Sequence, residues 1–293
     1  MPTHHNRDVF KFAAQARTKA QPCALCFVTH VSGGTLRSKG AVIAVTPDET
    51  SGYVSSGCVD ADIVLRARRA ITSGQHISLR YGEGSSMRDI VLPCGGTIDI
   101  LIVPLTPADI VQNINRTLES RQSVDVRIDA NGELGLGAPN SSDIFSHTYT
   151  PPLRIRIAGR GEAVTAVARL SENLGYDICI QTPMAQSLTT PDNPPPSGDD
   201  MWTALVLLFH DHEWEPQLLK QGLAGPAFYI GAMGSAQTHK FRCERLAEIG
   251  VGTADIARIH GPIGVIPAAR DANTLALSVL TEITETARKS GLL

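Results

Sequence analysis

Nothing in this chain is built to meet a polyanion. Lysine and arginine number 26 against 29 aspartates and glutamates, and no basic stripe or cluster breaks that balance, so nucleic acid is excluded as a leading partner. Long apolar runs are missing as well. The longest, such as "ALVLLF" at 204–209, fall far short of the roughly 20 residues that a bilayer span requires. The opening "MPTHHNRDVFKF" lacks the charged start and apolar core of a secretory signal, so a cytoplasmic protein is expected, with no membrane association. Cysteine is present at 23, 26, 58, 94, 179 and 243, but only Cys23 and Cys26 form a C-x-x-C. No second pair completes a four-thiolate zinc site. In a reducing compartment these six read as buried or functional thiols rather than a disulfide framework. The C-x-x-C leads into a β-like run, whereas a redox motif opens a helix; two strand residues facing the core are expected.

What is there is an ordinary globular composition, 293 residues with 42% hydrophobic, long enough for two domains. Up to residue 134 short β-branched runs ("ALCFVTHV", "GAVIAV", "HISLRY", "TIDILIVP") mix with two helical patterns, at 59–73 and 107–121. That order predicts an α+β domain, the smaller of the two, with a largely antiparallel sheet. Residues 135–153, rich in Gly, Pro, Ser and Asn, read as a linker. From 154 to 293 strands and helices alternate, which predicts a Rossmann-like, doubly wound parallel sheet with ligands at the carboxyl ends of its strands. Ala163, Val167, Leu170 and Leu174 mark the buried face of its first helix. Ala276, Val279, Leu280, Ile283 and Ala287 mark that of its last, at 272–289. Turns after 157, 209 and 230 should line one crevice.

The first of these turns, Gly159-Arg160-Gly161-Glu162-Ala163-Val164, fits G-x-G-x-x-small between a strand and a helix. There a pyrophosphate can approach backbone amides at a helix start. The acid that grips a ribose is missing after the second strand; Gln181 and Thr182 stand in its place and can hydrogen-bond without repelling a 2′-phosphate. Any NAD(P) binding is therefore expected to be weak and not selective for NAD. In "FYIGAMGSAQTHKFR", Gly231 and Gly234 allow close backbone approach, and Ser235 sits at an N-cap position ahead of Lys240, Arg242 and Arg245. The same residues also suit a plain helix cap with a solvated basic face. His210, His212, His239 and His260 fall near strand ends, as caps or ligand contacts rather than a zinc site. Cys58 and Cys94 stand in glycine-rich turns, "SSGCVDAD" and "LPCGGTIDI", where a thiol can be a soft ligand or nucleophile, although cysteine is also a common core residue. These two turns and the Gly231–Ser235 turn are expected to face one cleft. No acid/base or nucleophile–base spacing suggests turnover, which favours a carrier over an enzyme.

Taken together, "GGTLRSKGAVIAVTPD", "SSGCVDADI", "LPCGGTIDILIVP", "TALVLLFHDHE", "AFYIGAMGSAQTHKFRCERL" and "IARIHGPIGV" resemble the xanthine dehydrogenase accessory, or XdhC/CoxI, family over nearly the whole chain. The resemblance implies a small N-terminal domain, a C-terminal Rossmann domain and a non-catalytic maturation role. In that role the protein transiently binds the molybdenum cofactor, aids its sulfuration with a cysteine desulfurase and delivers it to a target molybdoenzyme; a homodimer is expected. It assigns cofactor binding to Arg37, Gly57, Cys58, Cys94, Gly95, Gly96, Gly159, Gly161, His210, Gly231, Gly234, Ser235, His239, His260 and Gly261, with Gly40, Asp211 and Gly264 in the same motifs. The alternative is an NAD(P)-binding oxidoreductase that uses the Rossmann domain.

Overall fold

The computed structural model describes residues 5–34, 37–55, 57–85, 92, 95–105, 110–183, 188, 190–209 and 213–293. The chain divides into two compact units, Met1–Pro151 and Pro152–Leu293.

The N-terminal unit runs α1 (Asn6–Thr18), β1 (Ala24–Ser32), β2 (Val42–Val45), β3 (Thr50–Gly52), α2 (Asp60–Ser73), β4 (Ile77–Tyr81), β5 (Thr97–Pro104), α3 (Ile110–Glu119), β6 (Val124–Asp129), β7 (Leu134–Leu136) and β8 (Asp143–Tyr149). Five strands in the order β3-β2-β1-β5-β4 pair antiparallel throughout. Because side chains alternate across a strand, β1 serves two cores. Leu25 and Phe27 pack with Phe10 of α1, Ile114 of α3 and Phe145 of β8, while Cys26 and Val28 pack with Ile63 and Ala67 of α2. A sheet buried on both faces explains why β1 and β5 read as continuous apolar runs rather than alternating ones. Cys23 and Cys26 are both buried, in different cores, since residues three apart on extended backbone face opposite ways. Burial pushes the Cys23 thiol up to about 12 and raises Cys26 as well; neither is a thiolate near neutrality.

The stretch read as a linker, 135–153, carries most of two strands. β6, β7 and β8 form a second antiparallel sheet in the order β7-β6-β8, with Ile128 opposite Leu134 and Val126 opposite His147. The Gly, Pro, Ser and Asn residues make the turn between β7 and β8, and Phe145 and Tyr149 insert into the α1–α3 core. With these strands the N-terminal unit is the longer of the two.

The C-terminal unit runs β9 (Arg154–Gly159), α4 (Glu162–Asn173), β10 (Asp177–Gln181), β11 (Thr203–Leu208), α5 (Glu215–Ala224), β12 (Tyr229–Ala232), α6 (Ala236–Glu248), α7 (Thr253–Ile256), β13 (Ile259–His260) and α8 (Ala272–Lys289). Its five strands, ordered β10-β9-β11-β12-β13, are all parallel. Val167 of α4 and Val279 and Ile283 of α8 cover one face, against Ile155, Ile157 and Val206. Leu218 and Leu219 of α5 and Leu246 of α6 cover the other, against Leu205 and Leu207. The expected buried face of α8 is the one observed. On α4 the expected face is rotated: Val164 and Ala168 join Val167 inside, and Leu174, past the helix end, is 44% exposed. The strand order reverses between β9 and β11, the switch point at which open α/β sheets hold ligands.

Candidate functional site

In the N-terminal unit the motif residues gather at one end of the five-stranded sheet. Ser32 at the end of β1 pairs with Thr97 at the start of β5, and Tyr81 at the end of β4 pairs with Ile98. This sets the β1–β2 loop beside the approach to β5, and an added Cβ on Gly33 would lie 2.9 Å from the Gly96 Cα. The Tyr81 hydroxyl donates to Asp62 Oδ2 at 2.7 Å, which ties the first turn of α2 to the same end. Burial works against the Asp62 charge, but hydrogen bonds from Arg66 and Tyr81 prevail and hold its carboxyl below the usual range. Arg37 lies with its guanidinium 4.6 Å from the Tyr53 ring centroid and donates to Asn6 Oδ1 at 3.3 Å, while Gly40 packs against the His147 imidazole.

Cys58 owes its position to its neighbour Asp60. Asp60 Oδ1 accepts from the amides of Val54 (2.8 Å) and Ser55 (3.2 Å). Its Oδ2 accepts from the Gly57 amide (3.0 Å) and the Ser55 hydroxyl. Ser55 Oγ in turn accepts from the Val59 amide at 3.1 Å. A carboxylate in the first turn of a helix is favoured by the helix dipole, and here it also gathers Val54, Ser55 and Gly57 around itself. The Cys58 thiol is left exposed. The packing explanation for this cysteine therefore fails: the loop is held by Asp60, and the sulfur contributes to no core. Gly95 and Gly96 lie at this end; Cys94 is outside the described residues.

In the C-terminal unit the candidates fall on the carboxyl edge. Gly159 ends β9 so close to β11 that an added Cβ would lie 2.6 Å from the Leu208 carbonyl oxygen. Gly161 caps α4 with φ +86°, a conformation that side chains resist, and α4 has no side-chain cap. The Val164 amide turns back to the Gly161 carbonyl at 3.1 Å, and the amides of Glu162 and Ala163 ahead of it are left for water or a ligand. His210 and Asp211, after β11, lie outside the described residues. Gln181 does not await a ribose: it is buried, and its carbonyl accepts from Arg156 Nη1 at 3.0 Å. Arg156, fully buried in mid-strand, needs that partner together with Asp199, 2.6 Å from Nη2, because an uncompensated buried guanidinium is costly.

The turn after β12 is fixed from below. Ser235 Oγ accepts from the Thr238 amide at 3.1 Å, an N-cap. Arg242, which the plain-cap alternative placed on a solvated basic face, is buried. Its Nε and Nη2 each donate to Glu215 at 3.0 Å, and Nη2 also donates to the Met233 carbonyl at 2.6 Å. Four residues separate it from Leu246, so both point inward. Gly234, with φ +145°, leaves no room for a side chain: a Cβ would sit 2.8 Å from Thr238 Cγ2. His239 packs against Gly261, with Nε2 3.6 Å from Cys243 Sγ. Burial, then the neighbouring Arg242 charge, lowers its pKa and keeps the ring neutral.

His260 Nδ1 lies 2.9 Å from Glu282 Oε1, and the His260 ring is 4.4 Å from that of Tyr229. Gly231 leaves space for the Tyr229 hydroxyl, which a Cβ there would approach to 2.7 Å. The structure thus brings Gly231, Gly234, Ser235, His239, His260 and Gly261 together around the ends of β12 and β13, and Gly159 with Gly161 at the switch point. Sequence reasoning missed Glu282 and Glu215. The available signal was an acid beside the apolar stripe of α8 in one case and an acid in the first turn of α5 in the other. No group of three or more His, Cys, Asp or Glu among the described residues is placed to hold a metal ion, and no helix among them is long and apolar enough to cross a membrane.

Comparison with known proteins fits this arrangement. Residues 16–82 match the XdhC and CoxI family and residues 155–283 match the XdhC Rossmann domain. Over 288 residues, 96% of this chain and 88% of the relative, the sequence is 34% identical to the molybdenum cofactor insertion chaperone PaoD of Escherichia coli (strain K12). It is 25% identical to the uncharacterized protein YqeB of the same organism over 173 residues, 54% of this chain and 32% of that one. A crystal structure from Bacillus halodurans, named as a xanthine dehydrogenase, superposes with a TM-score of 0.75 over 97% of this chain and 96% of that one at 19% identity, which establishes a shared fold. With a whole-length relative at this identity and both of its halves matched, the chain belongs to the XdhC and CoxI family.

Proposed function

We propose that the protein is a molybdenum-cofactor chaperone that binds the cofactor transiently, helps to sulfurate it and inserts it into a xanthine dehydrogenase or aldehyde oxidase-type enzyme. The observation that carries this reading is the whole-length likeness to a molybdenum cofactor insertion chaperone. The local chemistry agrees with it. Such a cargo combines a sulfur-rich metal end with a phosphate. The exposed Cys58 thiol, on a loop wound around Asp60, suits the first. The open amides of α4 and the Gly231–Ser235 turn suit the second. Cys94, Gly95, Gly96 and Arg37 within the N-terminal unit, and His210, His239, His260 and Gly261 within the C-terminal unit, are the other residues proposed to take part in binding. The target molybdoenzyme, a cysteine desulfurase and a second copy of the chain are the proposed partners.

The alternative, an NAD(P)-binding oxidoreductase, draws on the Gly159–Gly161 turn but is disfavoured by Gln181, whose side chain is engaged by Arg156. Calorimetry with NAD and NADP separates the two: the chaperone reading expects weak, unselective binding, and tight NAD-selective binding contradicts it. Replacing Cys58 by Ala should lower cofactor retention and target activation in cells that make the cofactor. Normal loading by both the Cys58→Ala and Cys94→Ala variants would remove the thiols from the account.

A further inference from the structure

We propose that Glu282 is a positioning residue for His260, holding the imidazole with its Nδ1 proton inward so that Nε2 is the ring atom left to meet a ligand. The cofactor-chaperone reading enters only in naming that ligand; the geometry stands without it. Glu282 lies on α8, 22 residues from His260, and its carboxylate is the meeting point of three elements. Oε2 accepts from the Tyr229 hydroxyl at 2.7 Å and from the Gly264 amide at 2.6 Å, and Oε1 lies 2.9 Å from His260 Nδ1.

An ionised carboxylate can only accept, so the hydrogen bond requires Nδ1 to carry a proton, and this partner decides which ring nitrogen is protonated. Burial works against the Glu282 charge. The bonds from His260, Tyr229 and Gly264 outweigh it and hold the carboxyl below its usual range. Tyr229 restrains the ring a second way, with its own ring 4.4 Å from that of His260.

The glycines of this edge then acquire a specific reason. A side chain at 231 would run into the Tyr229 hydroxyl, and one at 261 into the His239 ring, so both keep space for the groups around His260. In its neutral form a ring held in this way offers an Nε2 lone pair to an N–H or O–H donor of a heterocyclic ligand. The amides of the neighbouring turn offer the opposite polarity, to an anion. Paired acceptor and donors at one edge discriminate among ligands because a mismatched polar group is left unsatisfied.

The test uses the full-length protein and three variants, Glu282→Ala, Glu282→Gln and Tyr229→Phe. Nitrogen-15 NMR of the histidine side chains, at a pH where His260 is neutral, should show the Nδ1–H form in the native protein. The same form should persist in Glu282→Gln, whose amide oxygen still accepts, and be lost in Glu282→Ala. In protein purified from cells that make the molybdenum cofactor, bound pterin and molybdenum should fall about ten-fold in Glu282→Ala, the scale on which partners behind a contacting histidine act. Glu282→Gln should recover most of the loss, and Tyr229→Phe, which keeps the ring against His260 and removes one of the bonds that hold the carboxylate, should keep the Nδ1–H form and lose less than Glu282→Ala. An Nε2–H ring in the native protein, or equal loss in all three variants, overturns the proposal. Absence of pterin from every sample, native included, overturns the chaperone reading, and the NMR result then decides the role of Glu282 by itself.

Discussion

In the C-terminal unit every strand runs the same way, so each turn that follows a strand emerges at one edge, whereas in the antiparallel N-terminal unit successive loops alternate between the two ends of the sheet. The parallel half thus assigns its site by topology: Gly159, Gly161, Gly234 and Gly261 arrive at the carboxyl edge because β9, β12 and β13 are parallel. The antiparallel half has to select. The loops after β1, β3 and β4 share one end and carry the Arg37, Cys58 and Gly95–Gly96 motifs. The loops after β2, α2 and β5 are at the other end and carry none. What the antiparallel half lacks in topological certainty it supplies with side chains, Asp60 winding the Cys58 loop and Tyr81 clasping Asp62. The parallel half uses buried ion pairs instead, to hold turns that the fold has already placed.

The strongest way to break this comparison is to remove one of those ion pairs. Glu215→Ala leaves Arg242 as a buried cation without its carboxylate, with the Met233 carbonyl as its remaining partner. The expected cost is about 3–5 kcal/mol, confined to the C-terminal half. Hydrogen exchange resolved by segment should show faster exchange in α5, α6 and β12 with β1 and β5 unchanged, and a uniform change would mean that the halves do not respond separately.

A smaller loss, about 1–3 kcal/mol, is expected from Asp60→Ala, which removes the acceptor of four hydrogen bonds. Limited proteolysis should then cut within 54–59. Its counterpart, Gly234→Val, forces a side chain into a φ of +145° against Thr238, at a cost of about 1–3 kcal/mol. It should weaken cofactor retention without exposing the N-terminal loop.

Much of this was legible in the sequence, for reasons that differ between the halves. The βα alternation after residue 154 announces a parallel sheet, and with it the edge at which Gly161 and Gly234 must lie. The apolar stripe of α8 was readable because its period is local. Long-range pairing was not readable. Arg242 looks like any surface arginine until Glu215, 27 residues earlier, is known to face it, and Gln181 looks like a ribose contact until Arg156 is seen beneath it. The 135–153 stretch misleads because turn residues dominate its composition, while the two side chains that anchor it, Phe145 and Tyr149, are a small share of it.

Cys58→Ala sharpens the contrast between holding a loop and using it. Since the thiol is exposed and Asp60 organises the loop, stability should change by no more than about 0.5 kcal/mol, measured by denaturant titration. A larger loss would mean that the sulfur packs after all.

The smallest expected effect is a shared one. Burial depresses the pKa of His147 in one half and, with help from the Arg242 charge, that of His239 in the other. In the unfolded chain each titrates near 6.5, roughly the ordinary value. As pH falls below that value the unfolded state takes up protons first, so the stability present above it declines until the folded-state pKa is passed. Both halves should therefore soften slightly on mild acidification, and His147→Gln and His239→Gln should each flatten the pH dependence of their own half only. Segment-resolved hydrogen exchange across that range is the check.

The central claim is that the protein carries molybdenum cofactor. The most direct measurement is molybdenum and pterin analysis of the native protein purified gently from cells that make the cofactor, beside a Cys58→Ala, Gly234→Val double variant. The account predicts molybdenum and pterin in near-equal amounts with the native protein and strongly reduced amounts with the double variant; native protein free of both, or a double variant that carries as much, would contradict it.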